Sequence, residues 1–305
     1  MGFYGFMKGF TKYGSVGLAL EEPFYKIEVR KGEGNVRGCQ STRARTLLER
    51  VIEYFGTSRK YDVRILSCIP AHSGLGSTTQ LALSIYAGIA ILEGQDHRSI
   101  IELAAAAGRG RFSGAGTLSF IYGGLVVDTG KLADEAPRLL TSIRIPRRWG
   151  IVVVIPSYRG KRFVEDEAEY ETTITAMERA GELVEEKATY LVFRKLIPAL
   201  VHRDLASFAD AVEELDILNA HVFYKGDKRF CCQEAEEASR ALRELGIIGI
   251  GQSSWGPAIY GFYDRSKLKL SYTIVKEAMM RRGVEVDKIY ITRAANHGAT
   301  IVVKS

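Results

Sequence analysis

The chain has 305 residues and a formal net charge of +6; 46% of its residues are hydrophobic and 26% are charged. These values are typical of folded globular proteins, so they exclude a disordered or low-complexity chain, and the length is sufficient for two domains. Lysine and arginine are scattered instead of forming a basic tail or helix face, so the charge predicts no nucleic-acid partner and is equally well explained by a small polyanionic substrate.

The first half of the chain predicts strands and helices arranged around a glycine-rich loop. Alternating apolar and polar side chains indicate strands, and apolar residues three and four apart indicate helices. In chain order we predict a strand over 25–30, a helix over 42–55 ending at Gly56, a strand over 61–69, a helix from the loop to about residue 92, and a helix over about 98–107. Four glycines between 108 and 116 argue against a further helix, and residues 120–128 predict a hairpin that turns at Gly123 and Gly124.

The second half follows a weakly periodic segment, residues 130–149, where we place a domain junction. The predicted strands cover 151–155, 247–250, 258–263, 288–292 and 299–303, and the predicted helices cover about 168–196, 204–217, 233–245 and 267–281. This order predicts an α+β fold with helices on one face of an antiparallel sheet. We therefore predict two domains, 1–147 and 148–305.

Cysteine usage and hydropathy indicate the compartment. Cys39, Cys68, Cys231 and Cys232 have neither zinc-ligand nor disulfide-framework spacing, so we expect small, buried, unbridged residues in a reducing cytoplasm. No segment reaches the ~18 apolar residues of a membrane span, and the first residues lack an apolar run with a cleavage site. The sequence predicts a cytoplasmic protein without a membrane partner.

The glycine-rich loop between the strand and the helix, IPAHSGLGSTTQ, predicts a phosphate site. Glycine lets backbone N–H groups approach an anion closely, and the N-terminus of the following helix carries partial positive charge. The residues that we expect to bind phosphate are His72, Gly74, Leu75, Gly76, Ser77 and Thr78. An ordinary loop histidine is an equally good interpretation of His72.

Two further glycine and hydroxyl loops, GRGRFSGAGT and GIGQSSWGP, carry the other candidate residues. Arginine suits phosphate or carboxylate because its planar group donates two parallel hydrogen bonds. The candidates for catalysis are Arg109, Arg111, Ser113, Asp128 and Lys12, and those for substrate binding are Gln252, Ser253 and Ser254. For the arginines the alternative is a solvated surface role, for Asp128 a turn-capping role, and for the serines turn formation.

The first loop resembles the phosphate loop of the GHMP kinase superfamily, Pro-x-x-x-Gly-Leu-Gly-Ser-Ser, which Pro70 and the segment from Gly74 to Thr78 match. GIGQSSWGPAIYGF is similar to the C-terminal glycine motif of that superfamily. The resemblance implies an N-terminal β-α domain with a left-handed crossover and a C-terminal ferredoxin-like domain. Mevalonate kinase-like members carry Ser-Gly-x-Asp in the middle loop; here the run Ser113 to Gly116 lacks the carboxylate, which disfavours a kinase of that mechanism.

One branch carries GRGxxSGxG followed by a Gly-Gly turn and Asp-x-Gly, and this chain matches it from Gly108 to Gly130. That branch is the β-ribofuranosylaminobenzene 5′-phosphate synthase family of methanopterin biosynthesis. The segment from Gly17 to Pro23, the run from Gly251 to Pro257 and the C-terminal stretch from Arg293 to Gly298 match it as well. The chain departs from the family pattern at its start, GFMKGFTKYGS, where the usual His and Asp are missing.

The resemblance implies transfer of ribose 5-phosphate from phosphoribosyl pyrophosphate to the ring carbon of 4-aminobenzoate or 4-hydroxybenzoate that bears the carboxylate, with release of carbon dioxide and pyrophosphate. It implies that the phosphate loop holds the diphosphate and that Arg109 and Arg111 hold the 5′-phosphate or the benzoate carboxylate, with Mg²⁺ as the expected cofactor. The expected partners are these small molecules, with a homodimer left open. Two alternatives remain: an ATP-dependent small-molecule kinase, and a non-catalytic or nucleic-acid-binding homologue.

Overall fold

Ten strands form three sheets among the residues that the computed structural model describes, which are 1–132, 135–158, 166–178, 180–224 and 228–304. The strands are β1 (Val16–Leu18), β2 (Lys26–Lys31), β3 (Val36–Gly38), β4 (Tyr61–Ser67), β5 (Leu125–Asp128), β6 (Leu139–Ile143), β7 (Trp149–Pro156), β8 (Ile248–Gln252), β9 (Ile259–Asp264) and β10 (Val286–Thr292).

The helices follow the predicted positions in most of the chain. They are α1 (Ser41–Phe55), α2 (Ser77–Leu92), α3 (Ile100–Ala106), α4 (Ala115–Tyr122), α5 (Asp166–Glu178), α6 (Glu182–Tyr190), α7 (Ile197–Val201), α8 (Leu205–Phe223), α9 (Gln233–Glu244) and α10 (Tyr272–Arg281), with a π-helical segment, Leu191–Leu196, between α6 and α7. Gly56 ends α1 with φ 59°, a left-handed conformation that glycine adopts without steric cost. Within the described residues, no helix is long and apolar enough to cross a membrane.

The N-terminal half contains two three-stranded sheets, ordered β2-β4-β3 and β1-β5-β6. Strand β3 runs parallel to β4, and α1 makes the connection between them. One face of the first sheet packs against α1 and α2 through buried side chains such as Leu48, Val63 and Ile85. Because β4 leads directly into the glycine-rich loop, this core holds the base of the loop in place.

The C-terminal half has the predicted ferredoxin-like order. Its antiparallel sheet runs β10-β7-β9-β8, and β7, α9, β8, β9, α10 and β10 form a βαββαβ unit into which α5 to α8 are inserted between β7 and α9. The prediction of helices on one face only is wrong. All of β7 is buried: Ile151 and Val153 face the core shared with α8, whereas Val152 and Val154 face α9 and α10. The helices between β7 and α9 supply the second layer.

The two halves are joined by more than the segment that precedes β7. Residues 294–299 return to the N-terminal half, where Ala295 N donates to Ala19 O at 3.0 Å and Ala299 N donates to Phe120 O at 2.7 Å. At the other end of the chain, Phe3 N donates to Asn219 Oδ1 on α8 at 2.8 Å. The boundary predicted between residues 147 and 148 precedes β7 by one residue, and it stays a prediction.

Two predicted elements are wrong. Residues 120–122 belong to α4 (Ala115–Tyr122) instead of forming the first arm of the predicted hairpin, and residues 299–303 form no strand. Glycine in the first turn of α4 is used for packing: a β-carbon on Gly116 would lie 3.1 Å from Thr79 Cγ2, so the missing side chain lets α4 lie close to α2. Gly123 and Gly124, both with positive φ, end the helix and begin β5.

The expectation of unbridged cysteines is wrong for one pair. Cys39 and Cys68 form a disulfide with a Cα–Cα distance of 6.4 Å, whereas Cys231 and Cys232 are free thiols. The pairing follows from strand order, since Cys39 comes directly after β3 and Cys68 directly after the parallel neighbour β4. Sequence spacing does not reveal this neighbourhood.

We expect the double variant Cys39→Ser, Cys68→Ser to lose about 3 to 4 kcal/mol of unfolding free energy, because the disulfide closes a loop across a sequence separation of 29 residues. Urea unfolding of the oxidised protein and of the double variant measures the difference. Reduction of the unmutated protein should reproduce it, and equal midpoints under all three conditions would contradict the prediction.

Candidate active site

The phosphate loop between β4 and α2 is held in place by hydrogen bonds within the loop and by hydrogen bonds to the C-terminal half. Ser73 is buried, and its hydroxyl donates to Pro70 O at 2.8 Å. Gly76, with φ 70°, is the N-cap of α2. The first-turn N–H groups of Ser77, Thr78 and Thr79 have no carbonyl partner within the helix, so they face outward as donors for an anion.

The loop GQSSWGP between β8 and β9 lies directly against the phosphate loop. Ser253 Oγ donates to Gly74 O at 2.9 Å, and Ala258 N donates to Ser73 O at 3.2 Å. Gly74 has φ 83°, and a β-carbon there would overlap Ser253 O. Position 74 therefore requires glycine, both because its φ is positive and because a β-carbon would overlap Ser253 O. The Ser253 hydroxyl holds the phosphate loop in place.

The middle loop meets the same helix from the other side. Gln80 Nε2, in the first turns of α2, donates to Gly116 O at 2.8 Å, and Thr79 packs against Gly116. All three glycine and hydroxyl loops that the sequence singled out are thus brought together around the N-terminus of α2. Their proximity is a structural finding; the role of each residue in binding stays a prediction.

These loops border a cleft of about 2060 Å³ between the two halves of the chain. Of the predicted residues, the loop from Gly74 to Thr78 lines it together with His72, Arg109, Arg111, Ser113, Gln252, Ser253 and Ser254. Arg109 is half-buried, with Nε donating to Gly108 O at 3.1 Å, whereas Arg111 is exposed. Lys228 and Lys304 also line the cleft, so its rim is basic. A cleft with this rim attracts polyanions.

Asp128 lies beneath the middle loop and is fully buried. Its carboxylate accepts hydrogen bonds from the backbone N–H groups of Ser15 at 2.8 Å, Gly114 at 2.7 Å and Gly130 at 2.9 Å, and also from the Ser15 hydroxyl. Burial raises the pKa of Asp128, although these donors oppose the rise. Of the two interpretations of Asp128, the turn-capping role is the one that these contacts describe.

Two further predicted residues lie in different surroundings. Ser113 Oγ is 2.6 Å from Ser15 Oγ and accepts from Ala115 N, the first N–H group of α4, at 3.1 Å, and Ser113 also borders the cleft. Lys12 is exposed, its backbone pairs with Lys131, and it is not among the described residues that line the cleft.

A polar cluster that the sequence did not indicate lies at the inner end of the cleft. Arg229 forms ion pairs with Glu213 at 3.0 Å and with Asp216 at 3.3 Å. Asp216 Oδ1 also accepts from Gln252 N at 2.8 Å, and Tyr260 on β9 pairs with Gly251 on β8. These residues come from α8, β8, β9 and the segment before α9, so only the tertiary structure assembles them. The nearest sequence signal was the motif that contains Gln252.

The donor set for Mg²⁺ is small. Among the residues that the structure describes, no group of three or more His, Cys, Asp or Glu side chains could hold a metal ion. Mg²⁺ commonly binds through substrate phosphates and water with only one or two carboxylates. The expected Mg²⁺ cofactor stays a prediction.

Comparisons with a protein-family model and with solved structures agree with the fold described above. The family model for the GHMP kinases N terminal domain matches residues 43–124. A homoserine kinase from Cytophaga hutchinsonii superposes with a TM-score of 0.63 at 15% identity, covering 94% of this chain and 91% of its own. A mevalonate diphosphate decarboxylase from Staphylococcus aureus superposes with a TM-score of 0.65 at 13% identity, covering 97% and 92%. At these identities the likeness concerns the fold alone.

Three archaeal proteins are similar along almost the whole chain. Each is named beta-ribofuranosylphenol 5′-phosphate synthase. The protein from Methanothermobacter thermautotrophicus is 26% identical over 318 residues, covering 95% of this chain and 91% of its own. The protein from Archaeoglobus fulgidus is 29% identical over 307 residues, covering 95% and 92%, and that from Methanocaldococcus jannaschii is 29% identical over 325 residues, covering 94% and 92%.

Proposed function

We propose that this chain, which is similar along almost its whole length to these archaeal synthases and has the GHMP kinase fold, joins a phosphoribosyl group to a benzoate ring with loss of carbon dioxide. It is an enzyme of the pentosyltransferase kind. The donor that we propose is phosphoribosyl pyrophosphate, and the product is a C-riboside 5′-phosphate. The observation that carries the proposal is the meeting of three glycine and hydroxyl loops at the N-terminus of α2.

The phosphate loop is suited to a leaving diphosphate. When the bond from the anomeric carbon to the diphosphate breaks, negative charge develops on the diphosphate oxygens. The helix holds the N–H groups of residues 77–79 in place before the reaction, so they stabilise this charge without rearranging. The hydroxyls of Ser77 and Thr78 are additional donors in the same turn. Mg²⁺ bound to the diphosphate supplies further charge neutralisation.

The two arginines suit the anions at the other ends of the substrates. We assign Arg109, which is half-buried and anchored to Gly108 O, to the 5′-phosphate of the donor. Arg111 is exposed on the same loop and is assigned to the benzoate carboxylate in the encounter complex. Asp128 has no contact with substrate in this arrangement, because it holds the middle loop from beneath.

The relatives favour one of the two acceptors. Their name specifies a ribofuranosylphenol, and loss of the carboxylate from 4-hydroxybenzoate with ribose taking its place gives a phenol. The same reaction on 4-aminobenzoate gives an aminobenzene. We therefore propose 4-hydroxybenzoate as the acceptor, with 4-aminobenzoate as the comparison substrate.

One observation supports the alternative of a small-molecule kinase. The middle loop has Ala115 and Gly116 where mevalonate kinase-like enzymes carry an Asp. Asp216 on α8 lines the same cleft, and in a kinase its carboxylate would take the place of that Asp. A kinase would need ATP at the phosphate loop. The names of the three relatives oppose this alternative, since none of them is a kinase.

Calorimetry and product analysis distinguish the two functions. Purified protein is titrated with phosphoribosyl pyrophosphate and with ATP, each with Mg²⁺, and is then incubated with ring-labelled 4-hydroxybenzoate. We expect tighter binding of phosphoribosyl pyrophosphate than of ATP, and a labelled product with the mass of a ribosylphenol phosphate. Tight ATP binding with no binding of phosphoribosyl pyrophosphate would favour the kinase.

A further inference from the structure

Cys231 and Cys232 form a pair of thiols in direct contact. Their sulfur atoms are 3.3 Å apart, and the Cys231 thiol donates a hydrogen bond to Cys232 Sγ. Both residues are half-buried, and Cys231 lines the cleft. The structure describes all four cysteines of the chain, and the other two, Cys39 and Cys68, are bridged to each other. The thiol pair is therefore a nucleophilic cluster to which the proposed function assigns no role.

The start of α9 makes Cys232 the more acidic thiol of the pair. Cys232 is the N-cap of this 12-residue helix, whose first N–H groups carry partial positive charge. The hydrogen bond from Cys231 lowers the pKa of Cys232, and the N–H group of Ala235 lowers it further. Burial and Glu234 act on this pKa in the opposite direction. Donation of the same hydrogen bond, together with burial, raises the pKa of Cys231. The pair thus combines a thiolate nucleophile with a neighbouring thiol.

The pair matches a disulfide substrate better than a metal ion. Structural zinc is held by four Cys or His ligands, and in the described part of the chain the two thiols belong to no group of three or more metal-binding side chains. Thiol–disulfide exchange needs only two sulfurs, because one thiolate attacks the disulfide and a second thiol resolves the mixed disulfide that results. Cys232 is suited to the first step and Cys231 to the second.

Cys231 is also attached to the loop that holds the phosphate loop. Its N–H donates to Gln252 Oε1 at 2.8 Å. Its sulfur fills the space beside Gly256, where a β-carbon would lie 3.0 Å from Sγ. In the same GQSSWGP loop, Ser253 Oγ donates to Gly74 O at 2.9 Å. A change in the backbone at Cys231 therefore reaches the phosphate loop through the GQSSWGP loop.

A bond between the two sulfurs cannot form without such a change. The sulfurs of a disulfide are ~2.05 Å apart and its Cα atoms at least ~4.4 Å, whereas adjacent Cα atoms are only ~3.8 Å apart across a trans peptide. Bridging must therefore distort the backbone at both residues and displace the Cys231 N–H group that donates to Gln252. A bridge under this strain is easily reduced, so the modification is reversible.

We propose that Cys231 and Cys232 are a thiol–disulfide exchange site for low-molecular-weight disulfides, and that oxidation of the pair loosens the GQSSWGP loop from the phosphate loop. This inference goes beyond the proposed function, because the exchange requires no turnover of the ribosyl donor or the benzoate. Only its effect on diphosphate binding rests on the proposed function.

The exchange balances with these groups. The Cys232 thiolate attacks one sulfur of the disulfide, whose sulfur–sulfur bond breaks, and the first small thiolate leaves and takes a proton from water. The Cys231 thiol then loses its proton to water and attacks Cys232 Sγ, which expels the second small thiolate. The pair gives up two electrons and two protons in total. The low-molecular-weight disulfide takes up both and becomes two thiols.

Mass spectrometry of the intact protein after treatment with bis(2-hydroxyethyl) disulfide tests the exchange. We expect the unmutated protein to lose two hydrogen atoms, to carry no adduct, and to regain the hydrogens with dithiothreitol. Cys231→Ser should stop at a mixed disulfide on Cys232, because no resolving thiol remains. Cys232→Ser should react about tenfold more slowly, because its remaining thiol is not the acidic one. A lasting adduct on the unmutated protein, or equal rates for the two variants, would overturn the exchange site.

Tryptophan fluorescence tests the effect on the loop without any substrate. The chain has two tryptophans: Trp255 lies in the GQSSWGP loop, with its ring centroid 5.1 Å from that of Phe223, and Trp149 is fully buried in the core. Oxidation should change the fluorescence of the unmutated protein but not that of Trp255→Phe. Unchanged fluorescence in a protein whose bridge has formed would contradict the movement of the loop.

Calorimetric titration with pyrophosphate and Mg²⁺ then connects the bridge to the phosphate loop. We expect oxidation to weaken binding about tenfold, as the loss of one hydrogen bond does, and to leave the double variant Cys231→Ser, Cys232→Ser unaffected. Equal binding before and after oxidation would overturn the link to the phosphate loop. If the bridge forms and the fluorescence changes but neither form binds pyrophosphate, the exchange site stands and the proposed diphosphate site fails.

Discussion

Replacing Asp128 with alanine is expected to lower the free energy of unfolding by about 3 to 5 kcal/mol, a loss large enough to leave much of the protein unfolded. The variant leaves the buried N–H groups of Ser15, Gly114 and Gly130 without their acceptor. Each orphaned donor has no water to replace the carboxylate, because Asp128 is fully buried. Denaturant unfolding followed by circular dichroism measures the loss.

Asp62 provides the matched control for this prediction. It also accepts four hydrogen bonds, from Arg30, Glu33 and two groups of Asn35, but it lies at the surface, where water can replace it. We expect a much smaller loss for Asp62→Ala. A folded Asp128→Ala protein of unchanged stability that lacks activity would instead indicate a catalytic role for Asp128.

Replacing Gly74 with alanine is expected to weaken diphosphate binding by about 100-fold or more while the protein stays folded. An alanine at φ 83° is strained, and its β-carbon would overlap Ser253 O, so the loop must move away from the C-terminal half. The hydrogen bond from Ser253 to Gly74 is then lost, and the N–H groups of the loop no longer converge on the anion. Calorimetric titration with pyrophosphate and Mg²⁺ measures the change.

Gly94→Ala is the control that separates the effect of backbone strain from the effect on the phosphate loop. Gly94 also has positive φ, at 68°, but a β-carbon there would meet nothing within 4 Å. It lies just beyond the far end of α2, about 24 Å along the helix from the phosphate loop. Gly94→Ala should lower stability slightly and leave pyrophosphate binding unchanged. If both variants bind pyrophosphate equally well, the loop is not the diphosphate site.

The local parts of the site could be predicted from sequence because glycine and hydroxyl residues mark backbone geometry directly. The phosphate loop, the arginines of the middle loop and the serines before β9 line one cleft, as the joint occurrence of the motifs suggested. Asp216 and Tyr260 could not be predicted in this way. Each lies in an otherwise apolar pattern, on α8 and β9, and only the tertiary structure brings the two side chains together beside Gly251.

The errors in the fold have the same origin. The glycines between 108 and 116 argue against a helix, but close packing of α4 on α2 compensates for the low helix propensity of Gly116. Residues 299–303 are a predicted strand, yet the described structure offers that segment no partner strand. The Cys39–Cys68 bridge depends on the parallel pairing of β3 and β4. In each case a tertiary contact decides the outcome, and local patterns do not report tertiary contacts.

The most direct test of the pentosyl transfer is to count both leaving groups in one reaction. The protein is incubated with phosphoribosyl pyrophosphate, Mg²⁺ and 4-hydroxybenzoate labelled in its carboxyl group, and pyrophosphate and labelled carbon dioxide are measured together. We predict equal amounts of the two, with carbon dioxide absent when the donor is omitted. Pyrophosphate release without carbon dioxide, or no release of either with both 4-hydroxybenzoate and 4-aminobenzoate, would contradict it.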